Sequence, residues 1–238
     1  MDRPSRGGSY YRQRFLCSTY QGESEQMSEL NTFNQLIPGS LQKESSMKIA
    51  LVGATGNVGT RLISELTRRG HHVTAIARHP EKLQGQASVS PVSGDVQNEN
   101  ALAAVLAGHD VVIHSVKFLS TNTSKIIATT KAAKVPRLLV VGGAGSLEVS
   151  PGLTLVNTPD FPAEYKPETL AGVEFLNVLR GEKELDWTFL SPSYFFAPGE
   201  RTGKFRLGKD ELLVAADGQS RISTEGELSA RLHEICPA

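Results

Sequence analysis

The sequence predicts an α/β fold, a doubly wound parallel sheet with helices on both faces. From Met47 onward, short apolar runs alternate with stretches of helical period, the order that buries a parallel sheet beneath crossover helices. Gly53-Ala-Thr-Gly-Asn-Val-Gly59 follows the first apolar run directly and opens the first helical stretch, marking the strand-to-helix turn of a single Rossmann-type domain. The roughly 190 residues beyond position 46 suffice for one domain with a sizeable core and leave no room for a second.

Lys48-Ile-Ala-Leu-Val52 is a compact apolar strand, and the helix expected over 57–69 stops at Gly70, a residue suited to the left-handed turn that closes helices. His72-Val-Thr-Ala-Ile-Ala77 is the second strand and 89–92 a weak third. A helix over 98–107 ends at Gly108, ahead of Asp110-Val-Val-Ile-His-Ser115 as the fourth strand. A helix over 124–134 leads into Arg137-Leu-Leu-Val-Val-Gly142, the fifth. Thereafter 167–179 reads as helix, Trp187-Thr-Phe-Leu190 as a sixth strand, and 203–214 as a short antiparallel pair.

Residues 1–46 are rich in Ser, Gln, Glu, Arg and Gly without sustained periodicity, and are expected to be a disordered extension preceding a domain over 47–238. Met27 and Met47 are both candidate internal starts. A transit peptide is the alternative, because Arg3, Arg6, Arg12 and Arg14 precede the first Glu. Asp2 and the lack of an amphipathic helix speak against it.

Lys and Arg total 25, as do Asp and Glu, so no net field draws the chain to nucleic acid or to an anionic membrane. No apolar run approaches the roughly 20 residues of a bilayer span, and no secretory signal opens the chain. A cytoplasmic protein is expected, as monomer or homodimer. Cys17 and Cys236 form no framework, and no His, Cys or carboxylate cluster has metal-ligand spacing, so no metal is expected.

The glycine turn places main-chain amides at a helix start, where orphan N–H groups and the helix dipole attract a diphosphate. The first glycines permit close backbone approach, and Gly59 permits close packing of helix on strand. A chain that binds NAD usually carries Asp or Glu at the end of its second strand to grip the ribose hydroxyl. Here that place holds Arg78, with Lys82 one turn on, and a guanidinium grips a 2′-phosphate bidentately. NADP(H) is therefore expected ahead of NAD(H). Asp95 and Val96 follow the third strand and either contact the adenine or cap the next helix. His114 and Ser115 end the fourth strand on the carboxyl edge, where open α/β sheets bind ligands. A buried histidine with its hydrogen bonds satisfied is the expectation there.

With those residues in view, Met47-Lys-Ile-Ala-Leu-Val-Gly-Ala-Thr-Gly-Asn-Val-Gly59 resembles the NmrA-like, NAD(P)H-binding atypical short-chain dehydrogenase/reductase family. Within it, Val141-Gly-Gly-Ala-Gly-Ser-Leu147, Asp160-Phe-Pro-Ala-Glu-Tyr-Lys-Pro167, Asp186-Trp-Thr-Phe-Leu-Ser-Pro192 and Pro198-Gly-Glu-Arg-Thr-Gly203 are similar to the bacterial proteins provisionally assigned as NADH-flavin reductases. The resemblance spans about residues 47 to 223 and implies a reductase that takes FMN, FAD or a flavin-like small molecule as acceptor. By position it assigns Gly53, Thr55, Gly56, Asn57 and Val58 to the pyrophosphate and Arg78 to the adenosine phosphate. It assigns Ser115 and Gly142 to Gly145 to the nicotinamide, with Pro192 closing over it. Two departures stand out: the N-terminal extension, and an atypical end after Ser220-Arg-Ile-Ser223.

Related dehydrogenases and epimerases resemble one another in a Tyr-x-x-x-Lys pair. Here Tyr165 is followed four positions on by Thr169, and Tyr194 by Pro198. Carbonyl reduction needs a proton donor at the developing alkoxide, whereas reduction of a flavin can draw its proton from solvent. Ser146 and Tyr165 are expected to line the acceptor pocket, with a helix-start packing role as the alternative for Tyr165 ahead of Pro167. Phe195 and Phe196 either wall that pocket or belong to core or interface. The competing functions are a non-catalytic NADP(H)-sensing regulator and an epimerase- or dehydratase-like relative without the Tyr-x-x-x-Lys pair.

Overall fold

A computed structural model of the chain describes residues 12–17, 46–200 and 206–224. The strands are β1 (Arg12–Cys17), β2 (Lys48–Val52), β3 (His72–Ala77), β4 (Val89–Ser93), β5 (Val111–His114), β6 (Arg137–Val141), β7 (Glu148–Ser150), β8 (Leu153–Thr154), β9 (Asp186–Ser191), β10 (Phe195–Ala197), β11 (Arg206–Gly208) and β12 (Arg221–Ser223). The helices are α1 (Asn57–Arg68), α2 (Glu99–Leu106), α3 (Thr123–Ala132) and α4 (Lys166–Gly181). The main sheet runs β11-β1-β9-β6-β5-β2-β3-β4, parallel throughout except for β11. Its six strands from β4 to β9 have the Rossmann order, with the direction of winding reversing between β2 and β5.

Alternation along each strand builds two cores. Ile49, Leu51, Val111, Ile113 and Leu139 face α1 through Leu62, Ile63 and Leu66. Ala50, Val52, Val112, Leu138 and Val140 face α2, α3 and α4, where Phe175, Leu176 and Leu179 complete the layer with Trp187 and Phe189. Helices therefore cover both faces, as the near-continuous apolar strands require. Fully burying each such side chain stabilises by roughly 1.5–3 kcal/mol, so the two layers outweigh any single loop interaction.

Three differences from the sequence-based expectation have physical causes. Part of the segment expected to be disordered forms β1, which pairs in parallel with β9 from Arg12↔Thr188 to Phe15↔Ser191. Main-chain bonding to an otherwise open sheet edge needs no apolar period, so the sequence gives no warning of it. Among the described residues of 203–214 the expected antiparallel pair is not formed. Arg206–Gly208 pairs instead with β1, and Glu211 makes a lone bridge to Glu148. Short pairs β7–β8 and β10–β12 also form on the carboxyl side of the sheet, too brief to leave a pattern. Residues 1–11 and 18–45, and the atypical end beyond residue 224, lie outside the described residues.

Candidate dinucleotide and acceptor site

Gly53 carries the turn. Its φ of +89° is left-handed, its amide and that of Ala54 donate to the Ile76 carbonyl at 3.0 and 3.2 Å, and a Cβ there would stand 2.7 Å from the Ser115 carbonyl carbon. A side chain would thus push the end of β5 away. The Gly56 amide donates to the Gly53 carbonyl at 3.1 Å, and Gly56 then starts α1 without any side-chain cap. The orphan amides of the first turn remain available to an anion. Thr55, Gly56 and Asn57 are exposed, whereas Val58 packs into the α1 core layer. A Cβ on Gly59 would meet the Gly53 carbonyl oxygen and lie 2.8 Å from that of Ala54, so helix and turn pack at glycine distance.

Parallel strands deliver the other expected residues to one edge. Asp95 and Val96 follow β4, Arg78 follows β3, Ser115 follows β5, Gly142 follows β6 and Pro192 follows β9. At the switch point the Ser115 amide donates to the Val52 carbonyl at 2.9 Å, and between β6 and β9 the Gly142 amide donates to the Leu190 carbonyl at 2.9 Å. Arg78 and Lys82 are exposed and have no ion pair or side-chain hydrogen bond among the described residues, and Arg78 stands two residues beyond Ile76, whose carbonyl accepts from the Gly53 and Ala54 amides of the turn. Asn98, not Asp95, caps α2 by accepting from the Ala101 amide. The Asp95 carboxylate holds the preceding turn through the Gln97 amide at 2.9 Å, and Val96 packs half-buried on the core.

Beyond Gly142 lies a cavity of about 180 Å³ between the end of β6 and the start of α4. Its walls are the glycines 142, 143, 145 and 172, the side chains of Phe118 and Val173, and three polar residues, Ser146, Glu168 and Thr169. Ser146, expected from the sequence, is there, with a buried Oγ that has no hydrogen-bond partner. Tyr165 is not in that wall. It precedes α4 with Pro167 in the first turn, and is 62 % exposed. Phe195 is exposed and meets the Tyr194 ring edge to face, while Phe196 packs on Leu190 and Ile222.

Glu168 is the residue that the sequence does not announce. Its two carboxylate oxygens accept from the Phe118 amide at 2.6 Å and the Leu119 amide at 3.1 Å, tying α4 to the loop after β5. Phe118 is thereby held against Phe175 and Phe189, and against Gly172, where a Cβ would come within 2.9 Å of its ring. A glycine inside a helical pattern was the available signal, since such a residue often marks close approach. His114 is buried as expected but unsatisfied. Neither ring nitrogen has a hydrogen-bond partner, the Phe175 ring lies 5.5 Å away, and burial pushes its pKa down to about 4. The imidazole is therefore neutral near pH 7.

Among the described residues no helix is long and apolar enough to cross a membrane, and no group of His, Cys, Asp or Glu is placed to hold a metal. A family model described as NAD(P)H-binding matches residues 53–225. The uncharacterized protein YwnB of Bacillus subtilis is 40% identical over 199 residues, covering 79% of this chain and 92% of that one. Among solved structures, a Bacteroides thetaiotaomicron protein provisionally assigned as an epimerase is 41% identical with a TM-score of 0.76, covering 80% and 91% of the two chains. A Streptococcus pneumoniae protein provisionally assigned as an NADH-flavin reductase is 32% identical with a TM-score of 0.66, covering 80% and 93%.

Proposed function

The chain belongs to the NAD(P)H-binding family of NmrA-like atypical short-chain dehydrogenase/reductases, and we propose that it is an NADPH-dependent reductase of a flavin or flavin-like acceptor. One observation carries the reading: an uncapped glycine turn at the sheet's switch point, with the exposed Arg78 and Lys82 after β3 and a ring-sized cavity at the far end.

In this reading the amides of Asn57, Val58 and Gly59 at the start of α1, with that of Thr55, hold the pyrophosphate, where the backbone cradle is one that side chains would fill. Arg78, with Lys82 behind it, pairs with the 2′-phosphate. Asp95 and Val96 border the adenine, and Ser115, Gly142 and Pro192 orient the nicotinamide across the ends of β5, β6 and β9. When bound, NADPH supplies a hydride, two electrons and one proton. The acceptor takes a second proton from water, which fits a site without a Tyr-x-x-x-Lys pair. The protein's own contribution is orientation: it holds two ring systems at reacting distance and excludes water from between them.

The balanced charge supports a small-molecule partner rather than nucleic acid or an anionic membrane, and the reading is of a cytoplasmic protein, monomeric or homodimeric. The test is turnover: purified protein with NADPH and FMN or FAD loses the near-ultraviolet absorbance of the reduced dinucleotide. Tight NADPH binding with no turnover across flavins, quinones and tetrapyrroles would replace the reductase with a dinucleotide sensor.

A further inference from the structure

We infer that the cavity between β6 and α4 receives one ring of the acceptor bearing a cyclic N–H, as an imide or lactam does, and that Glu168 selects such rings against carboxylate-bearing ones. The inference rests on the reductase reading and specifies its acceptor.

Size comes first. A cavity of about 150 Å³ suffices for benzene, so the 180 Å³ here admits one six-membered ring and excludes a fused three-ring system. Only the end of a flavin-sized acceptor enters, leaving its remainder at the open carboxyl edge beside Ser115 and Gly142. Polarity comes next. Apart from the hydroxyls of Ser146 and Thr169, the only polar side chain in the wall among the described residues is Glu168, a pure acceptor when ionised. Each carboxylate oxygen offers about two lone-pair positions, and the Phe118 and Leu119 amides occupy one on each. Two acceptor positions therefore remain on a carboxylate that cannot swing away without abandoning two main-chain bonds.

A ring N–H satisfies such an oxygen. A ring bearing a carboxylate meets a fixed like charge across a space too small for an intervening water shell. Ser146, whose Oγ has no partner, rotates to accept or donate at the same ring edge.

The experiment compares three neutral-core probes with saturating NADPH: lumiflavin, which carries an imide N–H; 3-methyllumiflavin, which has lost it; and lumiflavin-3-acetate, which replaces it with a carboxylate. A linear tetrapyrrole lactam forms a fourth arm, separating flavin from tetrapyrrole as the source of the ring. The unaltered protein is expected to favour lumiflavin over 3-methyllumiflavin at least about tenfold in kcat/KM, and over the acetate by more. Glu168→Gln is expected to bring the acetate to within about threefold of lumiflavin while the NADPH dissociation constant stays unchanged. Val173→Phe, which narrows the cavity while leaving the Glu168 carboxylate in place, is expected to raise KM for every ring probe.

Binding of the same probes to the NADP+ complex, read by flavin fluorescence, is expected to show the same ranking without turnover. Equal use of all three flavins by the unaltered protein, or an unchanged ranking in Glu168→Gln, overturns the inference and leaves the reductase reading standing. A weakened NADPH affinity in Glu168→Gln gives the cavity to the nicotinamide carboxamide and also overturns it. No turnover of any acceptor removes the reductase reading, and the inference with it.

Discussion

Arg78 and His114 lie on the same sheet edge and illustrate opposite uses of charge. The Arg78 guanidinium is exposed and uncommitted, so its value lies in a ligand that brings a phosphate. Arg78→Ala is expected to weaken NADPH about tenfold relative to NADH, because a charge-assisted hydrogen bond is worth roughly 1.5–3 kcal/mol and exposure discounts it toward the lower figure. Titration calorimetry with both dinucleotides checks this, and an unchanged ratio refutes the assignment. His114 pays instead for being buried. Its pKa falls from 6.5 to about 4, so below pH 6.5 the unfolded chain takes a proton that the folded chain refuses. Stability from this group is complete above pH 6.5 and declines as pH falls toward 4, by roughly 3 kcal/mol in all. His114→Leu is expected to lose less stability than the unaltered protein between about pH 7 and about pH 5, measured by urea unfolding at each. An identical loss in both proteins would mean that the ring is protonated in the folded state.

At the scale of elements, α1 and its turn act as one piece. Gly59→Ala places a Cβ against the carbonyls of Gly53 and Ala54, and either the helix or the turn must move. The expected cost is roughly 1–3 kcal/mol of stability, the usual range for overpacking, with dinucleotide affinity lost in the same variant because the amides move with the helix. A variant that loses stability but keeps NADPH affinity would separate the turn from the binding site. This turn, and the strands β2, β3, β5, β6 and β9, are legible in the sequence to within one or two residues, since burial on both faces leaves uninterrupted apolar runs. The helices are legible from their period and their glycine stops, whereas the caps at Asn98 and Asn122 are shown by the structure. What the sequence conceals is pairing that depends on distant backbone: β1 on β9, β11 on β1, β10 with β12. Glu168 is hidden likewise, because a glutamate in a first helical turn is ordinary until the Phe118 and Leu119 amides, 50 and 49 residues earlier, are brought against it.

For the molecule as a whole, the sheet separates what stabilises from what binds. The carboxyl ends of β4 to β9 carry every residue assigned to the dinucleotide, whereas β1 lies beyond β9, paired with β9 on one side and with β11 on the other. β9 itself remains fixed by β6, from Arg137↔Asp186 to Val141↔Leu190, and by Trp187 and Phe189 in the core. Removal of residues 1–46 therefore exposes an edge strand without disturbing the turn at Gly53. The shortened chain is expected to unfold at a lower temperature and to aggregate more readily, as open parallel edges do. Its response to ligand is expected to be intact. NADPH at a hundred times its dissociation constant adds about 2.7 kcal/mol to the folded state, and at about 2–4 °C per kcal/mol the midpoint rises by roughly 5–10 °C in both chains. Differential scanning fluorimetry of the two, with and without NADPH, reads both quantities. A lower baseline with an equal shift places β1 in the scaffold alone, whereas a shift that disappears with residues 1–46 would bring the N-terminal segment into the binding site.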